Sequence, residues 1–458
     1  MTDHPQPHLS EIPSRTGSTA RNSPPVEQAV GVQRLRRMPL GRYRYVRARW
    51  RILFAVVDFL GEAVFGAGRS VRRLVASRAR PPAREYPPEQ PKVILLVQLD
   101  HLGDAILSTA VLPVLRDRYP AASIEVLAGA WNREVFEAMP QVDRVHVSRI
   151  NRFARGSLTR FAWIPAMLWW GLRLRRRRVD LGLDVRGEFP VAVILWLCGA
   201  RRRIGWDCGG GGFLLTDRVD FVPGRPEVES RWAVVSALGI DLPETPAARK
   251  PRFCPSESAR RRIGRRLAEL PSPGSAPCVV LHVGAGTQAK SWPVEHWREL
   301  LGRIIVGHGA QIILVGSGKD RPTAWQILGS RPWPGVTDWT GALTQNELAA
   351  LLRRADVLVG ADSGPAHLAA AVGTAVVVLF SGTNHARQWR PAGERVTVLR
   401  HAVACSPCHR ERCPRAEHPC MSGLLPGRVA AELEGVLAEP PAGRRGRRIA
   451  ARREGAPS

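Results

Sequence analysis

The chain has 458 residues, enough for two or three domains of ordinary size. Its 44% hydrophobic content excludes disorder over the whole length, and it lacks the Gly-X-Y period, heptad runs and long charge-free apolar segments of collagen-like, coiled-coil and polytopic membrane proteins. Lys plus Arg number 67 against 40 Asp plus Glu, a formal net charge of +27 that points to anionic partners: nucleic acid, a membrane face or phosphorylated substrates.

Residues 1–91 read as a basic extension without a core of its own. The first thirty are rich in Pro, Ser, Thr and His and read as disordered, 34–51 is arginine-dense, and 79–91 is a Pro-rich linker. Between them lies an apolar helix, predicted over 52–76. Asp58 and Glu62 fall one helical turn apart on one face, which argues against a membrane span. One acidic stripe, an apolar remainder and Arg at both ends fit a helix lying on an anionic membrane surface. Packing on the protein body and a true span are the alternatives.

From residue 92 the pattern alternates. Strands are predicted at 93–98, 123–127, 144–147, 181–185 and 202–205, with helices at 104–118, 161–178 and 190–198. After a Pro-rich piece at 242–255, strands at 278–283, 311–315, 357–360 and 375–380 alternate with helices at 294–306, 346–354 and 365–372. The expected class is α/β, with two Rossmann-like, doubly wound parallel-sheet domains, 92–250 and 251–439, facing a cleft, and an Arg-rich tail at 440–458. Ligands of such sheets lie at the carboxyl ends of the strands, so the cleft is the expected site.

Three stretches at predicted strand ends carry polar chemistry. Gln98-Leu-Asp-His-Leu-Gly103-Asp104 is a tight turn followed by an acid that opens a helix. Asp104 reads either as the helix N-cap or as a carboxylate entering the cleft as a general base. His282-Val-Gly-Ala-Gly286-Thr287-Gln-Ala-Lys290 is a small-residue loop ending in an ammonium, suited to a diphosphate although it is not a P-loop. Lys290 is one of four lysines among 67 basic residues, which marks it as a place where a compact point charge is wanted. Asp362-Ser363-Gly364-Pro365-Ala-His367 joins a strand to a helix and puts free backbone N–H groups at the strand's end, an anion site. Further on, Cys405, Cys408, Cys413 and Cys420 are spaced as a structural zinc site would allow; disulfides and reduced thiols are the alternatives.

In this order the motifs resemble glycosyltransferase family 9, the family of the lipopolysaccharide heptosyltransferases. The resemblance runs from about residue 93 to 437. It includes Val179-Asp-Leu-Gly-Leu-Asp184-Val-Arg186-Gly187, Arg201-Arg-Arg-Ile-Gly205, the four glycines at 209–212, Lys290-Ser-Trp-Pro293, Asp362-Ser-Gly-Pro-Ala-His367 and the late Cys-x-Pro-Cys. The resemblance implies a GT-B fold and inverting, metal-independent transfer from a nucleotide sugar, with ADP-heptose the leading donor and no cofactor required. Asp104 would be the general base, and Lys290 would hold the donor diphosphate and stabilise it on departure. Gly286, Thr287, Ser363, Gly364 and Pro365 would line the phosphates. Asp362 and His367 would contact the donor sugar or its phosphate, Asp320 the ribose, and Leu343, within 341–344, the base. Gly103, Asp184 and Arg186 would lie on the acceptor side.

The implied partners are the nucleotide sugar, a lipid-linked glycan acceptor and an anionic membrane surface, with no specific nucleic acid, and the implied place is the cytoplasmic face of the inner membrane. A sugar-nucleotide epimerase on the same fold and a basic, zinc-containing nucleic-acid binder are the alternatives. Residues 1–92 carry a net +10 and 440–458 a net +5, so more than half of the positive excess lies outside the two predicted domains. That distribution favours an anionic membrane face over nucleic acid.

Overall fold

The computed structural model describes residues 48–76, 90–149, 159–271, 276–330 and 332–439. The expectations for 1–47, for the linker at 79–89 and for the tail at 440–458 lie outside the described residues.

Two six-stranded, all-parallel sheets form the body. The first contains β1 (Val93–Gln98), β2 (Ser123–Gly129), β3 (Arg144–Ser148), β4 (Leu181–Asp184), β5 (Arg202–Trp206) and β6 (Asp217–Val219), in the order β3-β2-β1-β4-β5-β6. The second contains β7 (Cys278–His282), β8 (Gln311–Val315), β9 (Val336–Asp338), β10 (Val357–Ala361), β11 (Ala375–Phe380) and β12 (Val396–Arg400). From its far edge, its order is β9-β8-β7-β10-β11-β12, the same topology. The central strands are apolar on both faces, as helix-covered parallel strands must be: Ile94, Leu95, Leu96 and Val97 are fully buried, as are Val357, Leu358 and Val359. Leu96 pairs with Val126 on one side and Leu183 on the other, and Val359 with Leu281 and Val377. Strand order reverses between β1 and β4 and again between β7 and β10, so each sheet has its ligand crevice there.

The helices that position the site and the outer surface are α1 (Ala48–Ala76), α2 (Leu102–Ser108), α3 (Thr159–Leu174), α4 (Phe189–Leu197), α5 (Glu227–Ser236), α6 (Val294–His308), α7 (Gln345–Leu352), α8 (Gly364–Ala371) and α9 (Pro426–Ala438). The helix expected over 104–118 is broken. It runs as α2, a 3-10 turn at Thr109–Val111 and a second helix at Leu112–Arg118. Pro113 is the cause, since its ring lacks an N–H and clashes with the preceding turn.

The two halves share one apolar core. A continuous buried cluster runs from Ile94 and Ile106 through Trp232 and Ile263 to Val280, Leu358 and Leu368. Polar links cross between the halves as well. The Asn346 backbone N–H donates to Glu134 Oε2 at 2.9 Å, the Arg252 N–H to Thr109 Oγ1 at 3.0 Å, and Lys250 pairs with Glu394 at 2.9 Å.

Candidate active site

The loops after the strands of one sheet meet those of the other, and the tightest meeting is α2 against α8. A side chain at Gly103 would come within 3.0 Å of the His367 ring, and one at Gly364 within 2.8 Å of Leu102. Two missing side chains therefore let the helices close on each other.

On the first domain the site is a buried charge cluster around Asp104. His101, not Asp104, holds the N-cap position of α2, and Asp104 sits in the first turn, favoured there by the helix dipole. Its carboxylate is free of capping and turns to two guanidiniums: Arg231 Nη2 donates to Oδ1 at 2.9 Å, and Arg186 Nη1 lies 3.2 Å from the same oxygen. Arg231, on α5, is fully buried. It also donates to Glu227 Oε2 at 2.8 Å, to the Glu227 carbonyl at 2.7 Å and to Ser108 Oγ at 3.2 Å. Arg186 reaches Asp100 at 3.6 Å and Glu227 at 3.5 Å. Burial opposes its charge, but Asp104, Asp100 and Glu227 together raise its pKa above the ordinary arginine value. Glu227 is likewise kept ionised: burial works against it, and Arg231 and Arg186 more than offset that.

Asp184, expected on the acceptor side, is engaged with the backbone. Its oxygens accept from the N–H groups of Arg186 (2.9 Å), Gly187 (2.7 Å) and Glu188 (3.0 Å), and so shape the turn that presents Arg186. Burial pushes its pKa up to about 7 in spite of those bonds.

On the second domain Lys290 ends a 3-10 turn, Gln288–Lys290. Its ammonium donates to Asp362 Oδ2 at 2.7 Å and to the Asp362 carbonyl at 3.1 Å. The Asn384 amide fits best with its oxygen 3.1 Å from Lys290 Nζ and its nitrogen 3.2 Å from the Thr383 carbonyl. Ser363 is the extended N-cap residue of α8, with Gly364 and Pro365 opening the helix. Its hydroxyl donates to the Ala361 carbonyl at 3.1 Å and lies 3.4 Å from His282 Nδ1. Burial lowers the His282 pKa to about 4, so this imidazole is neutral at physiological pH.

Of the loop at 284–290, Gly286 is exposed, and Thr287 Oγ1 is buried without a hydrogen-bond partner. Asp320 lies against this loop, its Oδ2 occupying the space where a Gly284 side chain would begin. The same oxygen accepts from the Ser317 backbone N–H and hydroxyl, each at 2.7 Å. Leu343 is partly buried beside Thr344, the N-cap of α7.

His367 lies between the two clusters. It is buried, and burial lowers its pKa; Asp362 and Asp104 pull it upward while Arg231 and Lys290 push it down. One ring is thus within electrostatic reach of the acid of one domain and the ammonium of the other. The residues that sequence reasoning did not single out are Arg231, Glu227 and Gln388, whose amide donates to Glu227 Oε1 at 2.9 Å. Trp389, beside it, stacks under the Arg186 guanidinium at 5.4 Å.

The zinc expectation is not met. Among the described residues no three or more His, Cys, Asp or Glu side chains are arranged to hold a metal, and Cys405, Cys408, Cys413 and Cys420 are free thiols. Cys420 is buried and its pKa is raised, first by burial and then by the other three sulfurs nearby. The loop that carries the first three cysteines supports the Gln288–Lys290 turn instead. The Ala289 N–H donates to the Glu411 carbonyl at 3.0 Å, the Cys413 N–H to Gln288 Oε1 at 3.0 Å, and His418 Nε2 lies 3.1 Å from the Ala289 carbonyl.

Known proteins share this architecture. The chain is 26% identical over 358 residues to lipopolysaccharide heptosyltransferase 2 of Salmonella typhimurium, a match that covers 76% of this chain and 99% of the relative. The structure of Escherichia coli ADP-heptose lipopolysaccharide heptosyltransferase II superimposes with a TM-score of 0.61 at 24% identity, covering 75% of this chain and 98% of that one. A family 9 glycosyltransferase from Veillonella parvula gives a TM-score of 0.64 at 19% identity, over 76% and 97% of the two chains. These solved structures establish the shared two-domain fold. The family model described as glycosyltransferase family 9 (heptosyltransferase) matches residues 168–418, more than half of the chain and a span that takes in Arg186, Arg231, Lys290 and the Asp362–His367 segment; the protein belongs to that family and is a glycosyltransferase.

Proposed function

We propose that this enzyme transfers heptose from ADP-heptose, with inversion, onto a lipid-linked acceptor of the lipopolysaccharide type, working at the inner face of the cytoplasmic membrane. The observation that carries the reading is the meeting of α2, which bears Asp104, with the Asp362–His367 segment paired to Lys290, where a side chain at Gly103 would come within 3.0 Å of the His367 ring. The heptosyl specificity named for the relatives supports the choice of donor.

The acceptor hydroxyl approaches Asp104. Both guanidinium contacts fall on Oδ1, which fixes the carboxylate and directs Oδ2 to the hydroxyl proton. As that proton passes to Oδ2, the acceptor oxygen attacks the anomeric carbon from the face opposite the diphosphate, and the sugar–phosphate bond breaks. Lys290 and the N-terminus of α8, at Ser363 and Gly364, bind the diphosphate and stabilise the charge it gains. These cationic and dipolar groups supply the positive field, so the reading requires no metal. Asp320 and Leu343 would face the ribose and the base.

The expected outcome for Asp104→Asn is loss of transfer by about 10²-fold or more with donor affinity nearly unchanged. Steady-state transfer and calorimetric donor binding check it together. An equal loss of donor binding would show that Asp104 is structural, and conversion of the free sugar nucleotide without any acceptor would replace the transferase reading with an epimerase.

A further inference from the structure

The acidic stripe of α1 pairs with the protein body. Asp58 is 2% exposed, and its Oδ1 accepts from the Gly211 N–H at 2.6 Å; Glu62 forms an ion pair with Arg218. On the same side Phe54 packs on Phe189 at 5.6 Å, and Phe65 on Phe213 and Trp196 at 5.3 and 5.6 Å. Residues 54, 58, 62 and 65 repeat at helical spacing, so this is the docked face. The two acids of the helix bind the protein, and an apolar side is left outward.

That outward side is unusually apolar. Ile52, Val56, Leu60 and Val64 are 52%, 51%, 57% and 69% exposed, again at helical spacing, and Phe59 beside them is 73% exposed. The face continues across neighbouring helices. Val57 and Phe65 join the buried cluster that packs α3 on α4, and from these two helices Trp196, Leu168, Trp169 and Leu172 stand exposed. A patch of this extent marks an interaction surface on a soluble body.

Its charge identifies the partner. Arg173 stacks over Trp169 at 5.0 Å, exposed Arg175, Arg176 and Arg178 come next in the chain, and Arg49 stacks over Trp50 at 5.6 Å. Within 48–65 and 159–178 the acids are Asp58 and Glu62, both turned inward. A second copy docked through the same face would set arginine against arginine. A bilayer with anionic headgroups takes both features at once, the apolar side chains entering the acyl boundary and the arginines meeting the phosphates. No helix among the described residues is long and apolar enough to cross a membrane, which agrees with lying on one.

We propose that α1, α3 and α4 together form one membrane-docking face, with Asp58 and Glu62 as the clips that hold α1 in place to complete it. This deepens the peripheral-membrane reading above, and its test does not depend on the sugar transferred.

The experiment uses the full chain and sedimentation with vesicles of phosphatidylcholine, with or without about 30% phosphatidylglycerol. The wild type is expected to pellet with the anionic vesicles and to be released by salt. Phe59→Asp/Val64→Asp and Leu168→Asp/Leu172→Asp are each expected to weaken binding by roughly tenfold or more, while thermal melting and transfer to a soluble acceptor stay unchanged. Deleting residues 1–80 is expected to weaken binding but leave the part due to α3. Wild-type pelleting by both aspartate variants, or no binding by the wild type, overturns the proposal. Concentration-dependent dimerisation lost in the Phe59 variant gives the face to a second copy and overturns it as well. Loss of soluble transfer with vesicle binding intact would instead count against the catalytic reading alone.

Discussion

Arg231 is the residue on which the first domain's site turns, and it shows why some chemistry stays hidden in a sequence. Asp104, Lys290 and the Asp362–His367 segment are legible because turns, small-residue loops and helix starts have strict local signatures. Nothing local distinguishes an arginine in the middle of α5; its partners Asp104 and Ser108 lie more than a hundred residues away. A methionine there would take from Glu227 and Asp104 the closer of the two guanidiniums that bridge them and leave them Arg186, a loss of about 3 kcal/mol in denaturant unfolding. Arg231→Lys keeps the charge but cannot fork to Asp104, Glu227 and Ser108 together. That variant is expected to fold, to lower kcat by roughly 10–100-fold and to leave the donor KM nearly unchanged. A rise in KM with kcat preserved would show that Arg231 acts on donor binding and does not position Asp104.

Among the elements, the loop from His401 to His418 changes most between sequence and structure. Its cysteines suggest a metal, because Cys-x-x-Cys spacing is a property of the chain alone. What the loop touches is a property of the fold, and it touches the turn that presents Lys290. His418→Ala removes one of three supports, so the donor KM is expected to rise several-fold with little change in melting temperature; an unchanged KM would show the loop to be a passive cover. The helix α1 teaches the same distinction. Its length and amphipathic pattern are legible, but the hydropathy pattern does not say which side docks. Here the acids turn to the body because Gly211 and Arg218 pair with them, Asp58 buried and Glu62 half-exposed.

For the molecule as a whole, the parallel sheets and their shared topology arise from alternating strands and helices and are readable without a structure. The closeness of the two halves is not, since it depends on one core and on helices crossing through two glycines. That closeness affects how the donor is used. The Asp104 cluster is completed by the other domain: Gln388 holds Glu227, and Trp389 lies under Arg186. Parting the domains removes both supports from Glu227 and Arg186, and with them part of the order of Asp104, the proposed proton acceptor. A glycosyltransferase works in water, a nucleophile at enormous excess over any acceptor, and an activated base beside an unprotected donor would waste the sugar. Gln388→Ala or Trp389→Ala is therefore expected to raise the ratio of donor hydrolysis to acceptor transfer several-fold, read from nucleoside diphosphate released against glycoside formed. An unchanged ratio would mean that closure serves only to bring substrates together. If the proposed mechanism holds, the join between the domains also keeps the reaction from leaking to solvent.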